Sequence, residues 1–317
     1  MFGKPFAGQF DTVEKDIESG KINMDEKKKE EQKTAEALLA EKAADKEVSF
    51  APGAIDGIYI YHTTHKQGPA EELIEAIRIL HEEGEDEAEK KLYQVFVHPR
   101  ETRMISMIDQ LQHHIIDNVD KYSPEKLLSL ASRSISSANT EIVKFGLSLM
   151  ELVNFSESED FRSVVVTLAK DEEFTLFALY VIRAWKDGAY ITFGLAKRLL
   201  GWGRVHAVHF LTPETQEMKD WLIREGWYNE VIPAYSALDA AEKGELMKFL
   251  EKDTFSDEDV KGVEGLVEAL LDEGPVRGIS VYPEKDALVK RLTELRAGGA
   301  FTEKTDQLLG AMKGSKA

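Results

Sequence analysis

The residues with the most chemistry to offer lie between positions 183 and 228. Trp185, Tyr190, Trp202, Trp221, Trp227 and Tyr228 alternate there with Arg183, Arg198 and Arg204. Large aromatics and arginines form the energetic centres of protein interfaces, because they bury much area at little entropy and carry polar handles. The same side chains also fill cores between packed helices. Trp185 and Trp221, set among apolar neighbours, read as core. Trp202 stands between Gly201 and Gly203, where a turn would expose it. Gly201-Trp202-Gly203-Arg204 is therefore the leading surface feature, and Lys197, Arg198 and Arg204 make it locally basic. The expected binding groove is Arg183, Tyr190, Arg198, Trp202, Arg204 and His206.

Other candidate chemistry is thin. His62 and His65 are three residues apart, as are His206 and His209. On a helix each pair shares a face and could supply two imidazoles to a divalent ion. A closed site needs a third or fourth ligand, and no Asp or Glu stands close by at a matching spacing. His113 and His114 are adjacent and point to different faces. Carboxylates are too numerous to single out a catalytic pair, and Asp257, Glu258 and Asp259 fit a helix N-terminus biased for its dipole. With no cysteine in the chain, disulfides, thiolate metal sites and cysteine nucleophiles are excluded. Gly201-Trp202-Gly203 lacks the preceding strand and third glycine of a dinucleotide-binding turn. No Gly-x-Ser-x-Gly elbow occurs. No catalytic residue, metal site or cofactor is expected.

The elements that would position these residues are helices. Residues 1–48 are rich in Lys, Glu, Asp and Ala, with a thin apolar face at Leu38 and Leu39, and read as a solvated helix or mobile tail. Residues 49–69, bracketed by Pro52-Gly53 and Gly68-Pro69, read as an irregular linker or short helix around the strand-like run Ile58-Tyr59-Ile60-Tyr61. From 70 to 122 apolar residues recur at helical spacing: Leu73, Ile74, Ile77 and Leu80, then Leu92, Phe96 and Val97 up to His98-Pro99, then Met104 to Ile116. From 123 to 240 the helices become short and regular. Ser123-Pro124 starts one, Ser156 with Glu159 forms a capping box for another, and the run Phe174 to Trp185 is apolar nearly all round, as a helix buried on several sides would be. From 241 to 317 the chain reads as an acidic cap. Ser256 with Asp259 starts a helix on Val260, Val263, Val267, Leu270 and Leu271. Leu288, Leu292 and Leu295 mark the last helix, and the tail from Gly298 is weakly patterned.

Phe145 to Leu152 and Phe177 to Ala184 share a pattern, each following a polar turn, and Val205 to Leu211 repeats the rhythm. Such hairpins cannot bury their apolar faces alone and need stacking to make a core. The stretch Leu168-Ala169-Lys170-Asp171-Glu172-Glu173-Phe174 through Ala184 resembles a HEAT-like repeat, a short apolar helix, an acidic turn and a second helix with small residues on its packing face. The resemblance covers about 125–240, without the usual HEAT proline or inner Asp/Arg ladder. It implies an all-α fold of stacked helical hairpins, an α-solenoid, with an irregular N-terminal helical region and a polar C-terminal cap. It also implies a scaffold with a groove lined by second helices. An irregular helical bundle is the alternative architecture.

The chain has 58 acidic against 40 basic residues, a net charge of −18. That balance repels phosphate backbones and anionic membranes, and so counts against a DNA-glycosylase use of a HEAT-like groove. It favours a basic partner and serves solubility equally well. Met1-Phe2-Gly3-Lys4-Pro5 opens no secretory segment, and the densest apolar run, Phe174 to Ile182, is shorter than the ~18 residues a membrane span needs. The expectation is a cytoplasmic scaffold that binds a protein or peptide. Its rivals are a small enzyme with its site in the groove, marked by at least two converging groups with shifted pKa values, and an acidic inhibitor or immunity-type protein for a basic partner.

Overall fold

The computed structural model describes residues 50–62, 68, 70–97, 103–152 and 158–314. Among these, sixteen α-helices and three shorter helical turns account for the regular structure, and there is no strand. The expectations for residues 1–48, for His65 and for the Ser156 cap fall outside the described residues. Two compact units divide the chain between Lys186 and Asp187, inside the stretch expected to hold the repeats.

The first unit carries α1 (Ala54–His62), α2 (Glu71–Glu82), α3 (Glu85–Val95), α4 (Ile108–Asp117), α5 (Pro124–Ser134), α6 (Thr140–Glu151), α7 (Glu159–Leu168) and α8 (Thr175–Ile182). The strand-like run 58–61 is helical, in α1. Its residues lack a neighbouring strand, and α1 is held instead by tertiary contacts made by Gly53 and Asp56, described below. Ser123 caps α5 as expected, its Oγ accepting from Lys126 N with Pro124 at the first helical position. Asn139 caps α6 by accepting from Glu141 N and Ile142 N. Helix α6 is the centre of this unit, with every residue from Glu141 to Met150 buried. It packs closely on α5 because residue 146 is glycine: a Cβ there would stand 2.9 Å from Ala131 O, Ile135 Cγ2 and Ser134 Cβ. Helix α8, apolar all round, packs against α6 and α7.

The second unit carries α9 (Gly188–Arg198), α10 (Trp202–Phe210), α11 (Gln216–Trp221), α12 (Ala234–Lys243), α13 (Leu246–Phe249), α14 (Asp257–Leu271), α15 (Lys285–Ala297) and α16 (Glu303–Gly314). Ser256 and Asp259 form the expected reciprocal capping box of α14, and Val260, Val263, Val267 and Leu270 are buried. Between α11 and α12 the segment Leu222–Gly226 is a π-turn. It lies on α14 where side chains are missing: a Cβ at Gly262 would stand 2.6 Å from Arg224 Cα, and one at Gly265 would collide with the Trp227 indole. The weakly patterned tail is a helix as well. Thr305, Leu308, Leu309 and Met312 follow the i, i+3, i+4, i+7 spacing and are buried. The buried Glu264 carboxylate anchors its start, accepting from Thr302 N, Thr302 Oγ1 and Thr305 Oγ1.

Candidate functional site

The six residues expected to share a groove divide into two groups. Arg183, Tyr190 and Arg198 are exposed. Arg183 belongs to the first unit, where it pairs with Glu151 at 2.6 Å and lies over the Tyr180 ring. Trp202, Arg204 and His206 are buried inside the second unit, which corrects the expectation that they line a surface. The glycines around Trp202 do not make an exposed turn. Gly201 precedes α10 and Trp202 is its first residue. One turn along, His206 shares its face, so the two rings stack (6.1 Å between centroids) while Trp202 also meets Tyr235 of α12 at 4.9 Å. Burial pushes the His206 imidazole down to about 3, so it is neutral, and its Nε2 has no hydrogen-bond partner among the described residues. His209 faces out and pairs with Asp239 at 2.9 Å. The two histidines therefore do not converge, and no metal-ligating cluster occurs among the described residues.

Arg204 points the other way. Its guanidinium lies 5.2 Å from the Trp221 ring and donates to Leu199 O at 3.5 Å and Glu225 O at 2.7 Å. Leu199 ends α9, and Glu225 lies within the π-turn, where carbonyls lack their usual helical partners. Burial lowers the pKa of Arg204, and the Glu225 and Tyr228 side chains oppose that shift.

What remains at the surface of the second unit is a stripe. Tyr190, Gly194, Lys197 and Arg198 occupy positions i, i+4, i+7 and i+8 of α9, which lie on one face, and all four are exposed. Tyr190 is 52% exposed. Two residues past α9, Leu200 is 42% exposed, and its carbonyl accepts from Glu230 N at 2.7 Å. That bond brings the 228–230 segment alongside, with Tyr228 46% exposed. Sequence reasoning named Tyr190 and Arg198 as groove residues but did not set Leu200 or Tyr228 beside them, because the backbone bond that joins Leu200 to the 228–230 segment spans two distant segments.

A second constellation, in the first unit, has no counterpart in the sequence reading. Lys144, in the middle of α6, has no exposed surface. Its Nζ lies 2.7 Å from Asp56 Oδ2, 3.2 Å from Glu141 Oε1 and 2.6 Å from Glu173 Oε1. Glu141 also accepts from Met104 N and Arg103 Nη1, and Glu173 accepts from Gly53 N. Burial pushes the Asp56 carboxyl up to about 6, against the pull of Lys144. Burial lowers the Lys144 pKa, but Asp56, Glu141 and Glu173 outweigh it and hold the ammonium above its ordinary value. Two groups with shifted pKa values thus converge, as an enzyme would require. Asp56, Glu141 and Lys144 are, however, all at 1% exposure or less, and they spend their charge on one another. The arrangement ties α1 and the Glu173 turn to α6. The signal for it was present in Ile142-Val143-Lys144-Phe145, a lysine set inside an apolar run.

Comparison with known proteins gives no family model, no curated relative and no solved structure that matches this chain.

Proposed function

We propose that the protein is a helical scaffold that binds a protein or peptide partner through the outer face of α9 and the loop segments beside it. The observation that carries this reading is the group of large apolar side chains left in water there: Tyr190, Leu200 and Tyr228. Scattered exposed apolar residues are ordinary, but tyrosines beside an arginine are the composition of interface centres. The HEAT-like stacking of hairpins over 123–240 belongs to the same proposal, as an analogy of architecture. Among the described residues no helix is long and apolar enough to cross a membrane. The lack of cysteine suits a reducing compartment, and we place the scaffold in the cytoplasm. The enzyme alternative gains little from the Asp56–Lys144 cluster, whose groups have no face left for a substrate.

A photo-crosslinking amino acid at position 190 or 228, introduced in cells of the native host, tests the proposal. Both positions are expected to give a discrete protein adduct. The same residue at Val281, exposed elsewhere in the second unit, is expected to give none. No adduct at 190 or 228, or equal labelling at 281, overturns the reading.

A further inference from the structure

The α9 surface also carries information about the partner's charge. Between Asp187 and Pro213 there are three basic residues, Lys197, Arg198 and Arg204, and one acidic residue, Asp187, in a chain whose acidic residues outnumber the basic ones by 58 to 40. None of the three cations makes an ion pair with a described residue. Elsewhere the fold neutralises its partly buried cations with carboxylates: Arg103 with Glu141, Arg133 with Glu85, Asp86 and Glu89, Lys144 with three acids, Arg224 with Asp220 and Asp259. Lys197 instead lies over the Phe193 ring at 5.0 Å, and Arg198 is exposed beside it. Arg204 stands behind them, tied to Leu199 O and Glu225 O rather than to a carboxylate. The carboxylates near this surface are Asp187, at the start of α9 one turn before Tyr190, Glu225, which Arg204 feels through space, and Glu230, whose backbone binds Leu200. All three residues are exposed to water, where the field of their carboxylates is weakened.

From this we infer that the stripe Tyr190–Lys197–Arg198–Leu200–Tyr228 receives an acidic peptide segment with apolar side chains, its carboxylates set against Lys197 and Arg198 and its apolar groups against Leu200 and the two tyrosines. The inference rests on the protein-binding reading above and gives that reading a partner chemistry. It runs opposite to the net charge of −18, which by itself favours a basic partner. The acidic whole repels an acidic ligand at long range, but that repulsion is screened within about 10 Å at ~0.1 M salt, while contacts at the stripe act inside that distance. The stripe has the length of a peptide site: from Tyr190 to Arg198 it rises roughly 12 Å along the helix axis.

Three fluorescently labelled synthetic peptides test this on the full chain: one alternating Glu and Phe, one with Gln replacing every Glu, and one with Lys replacing every Glu. The Glu peptide is expected to bind about tenfold or more tightly than the Gln peptide, to weaken as salt rises, and to outcompete the Lys peptide. Lys197→Glu with Arg198→Glu is expected to abolish binding, while Lys261→Glu, an exposed reversal on α14, leaves it unchanged. All three positions lie at the surface, so the variants keep their fold, and circular dichroism checks it. The inference is overturned if the Gln or Lys peptide binds equally well, if the double reversal binds like the wild type, or if Lys261→Glu loses as much. Crosslinks at positions 190 and 228 without a preference for the Glu peptide would leave the scaffold reading standing and remove this one. Absence of both would remove both.

Discussion

At the scale of single residues, Lys144 and Asp56 are buried charges that face one another. A buried charge that loses its partner costs far more than the pair contributed. Lys144→Met leaves Asp56, Glu141 and Glu173 facing one another without their cation, and is expected to cost about 3–5 kcal/mol in chemical denaturation. Asp56 has the opposite character. Burial holds its carboxyl near 6 in the fold against an ordinary value of 3.8, so the folded state binds the proton more tightly than the unfolded chain. The stability this confers is complete below about pH 4 and is lost as pH rises through about 6, a change of about 3 kcal/mol at 1.4 kcal/mol per pH unit. Asp56→Asn is therefore expected to remove a downward slope in stability between pH 4 and 6, measured as the difference between variant and wild-type denaturation midpoints. An unchanged difference across that window would contradict the assignment. Lys144 was legible in the sequence as an anomaly in an apolar run, but its partners were not. Asp56 lies in the N-terminal linker and Glu173 in an acidic turn full of equivalent carboxylates, and only the docking of α1 selects them.

At the scale of elements, two glycines inside helices make opposite predictions. Gly194 is exposed in the interior of α9, and a Cβ there meets nothing within 4 Å. Gly194→Ala is expected to stabilise by about 0.5–1 kcal/mol, because alanine loses less backbone freedom on folding. Gly146→Ala pushes a methyl into the carbonyl of Ala131 and the side chains of Ile135 and Ser134, and is expected to destabilise by about 1–3 kcal/mol. Thermal unfolding of the two variants checks both signs. The helices themselves were largely readable. The caps at Ser123 and Ser256 and the all-round apolar α8 lie where capping residues and periodicity put them. Three elements were harder. The 58–61 run has strand-like composition yet is helical, in a helix anchored through Asp56 on Lys144 and with no strand beside it among the described residues. The helix α16 was hidden because Thr305 occupies one of its buried positions and the acceptor for that threonine, Glu264, comes from another helix. The start of α10 was misplaced since Gly201-Trp202-Gly203 reads as a turn by composition, whereas the aromatic is drawn inward by Tyr235 and His206.

At the scale of the whole molecule, charge is distributed unevenly: an acidic chain keeps three cations around the end of α9 that make no ion pair with a carboxylate among the described residues. The composition was plain in the sequence, but which cations remain unpaired depends on contacts between distant segments and could not be read there. For the same reason the expected groove mixed three exposed residues, Arg183, Tyr190 and Arg198, with three that face the interior, Trp202, Arg204 and His206. The complete burial of Lys144 has one more use. Amine-modifying reagents label exposed lysines such as Lys197 and Lys261 at once, but they reach Lys144 only when the first unit opens, so its labelling rate is a clock for that opening. The second unit holds Trp202 and Trp221 in its interior, and their fluorescence changes when that unit opens. With Trp185 of the first unit replaced by Phe, mass spectrometry at one lysine and emission from the remaining indoles would thus time the two halves of the chain separately, in one tube.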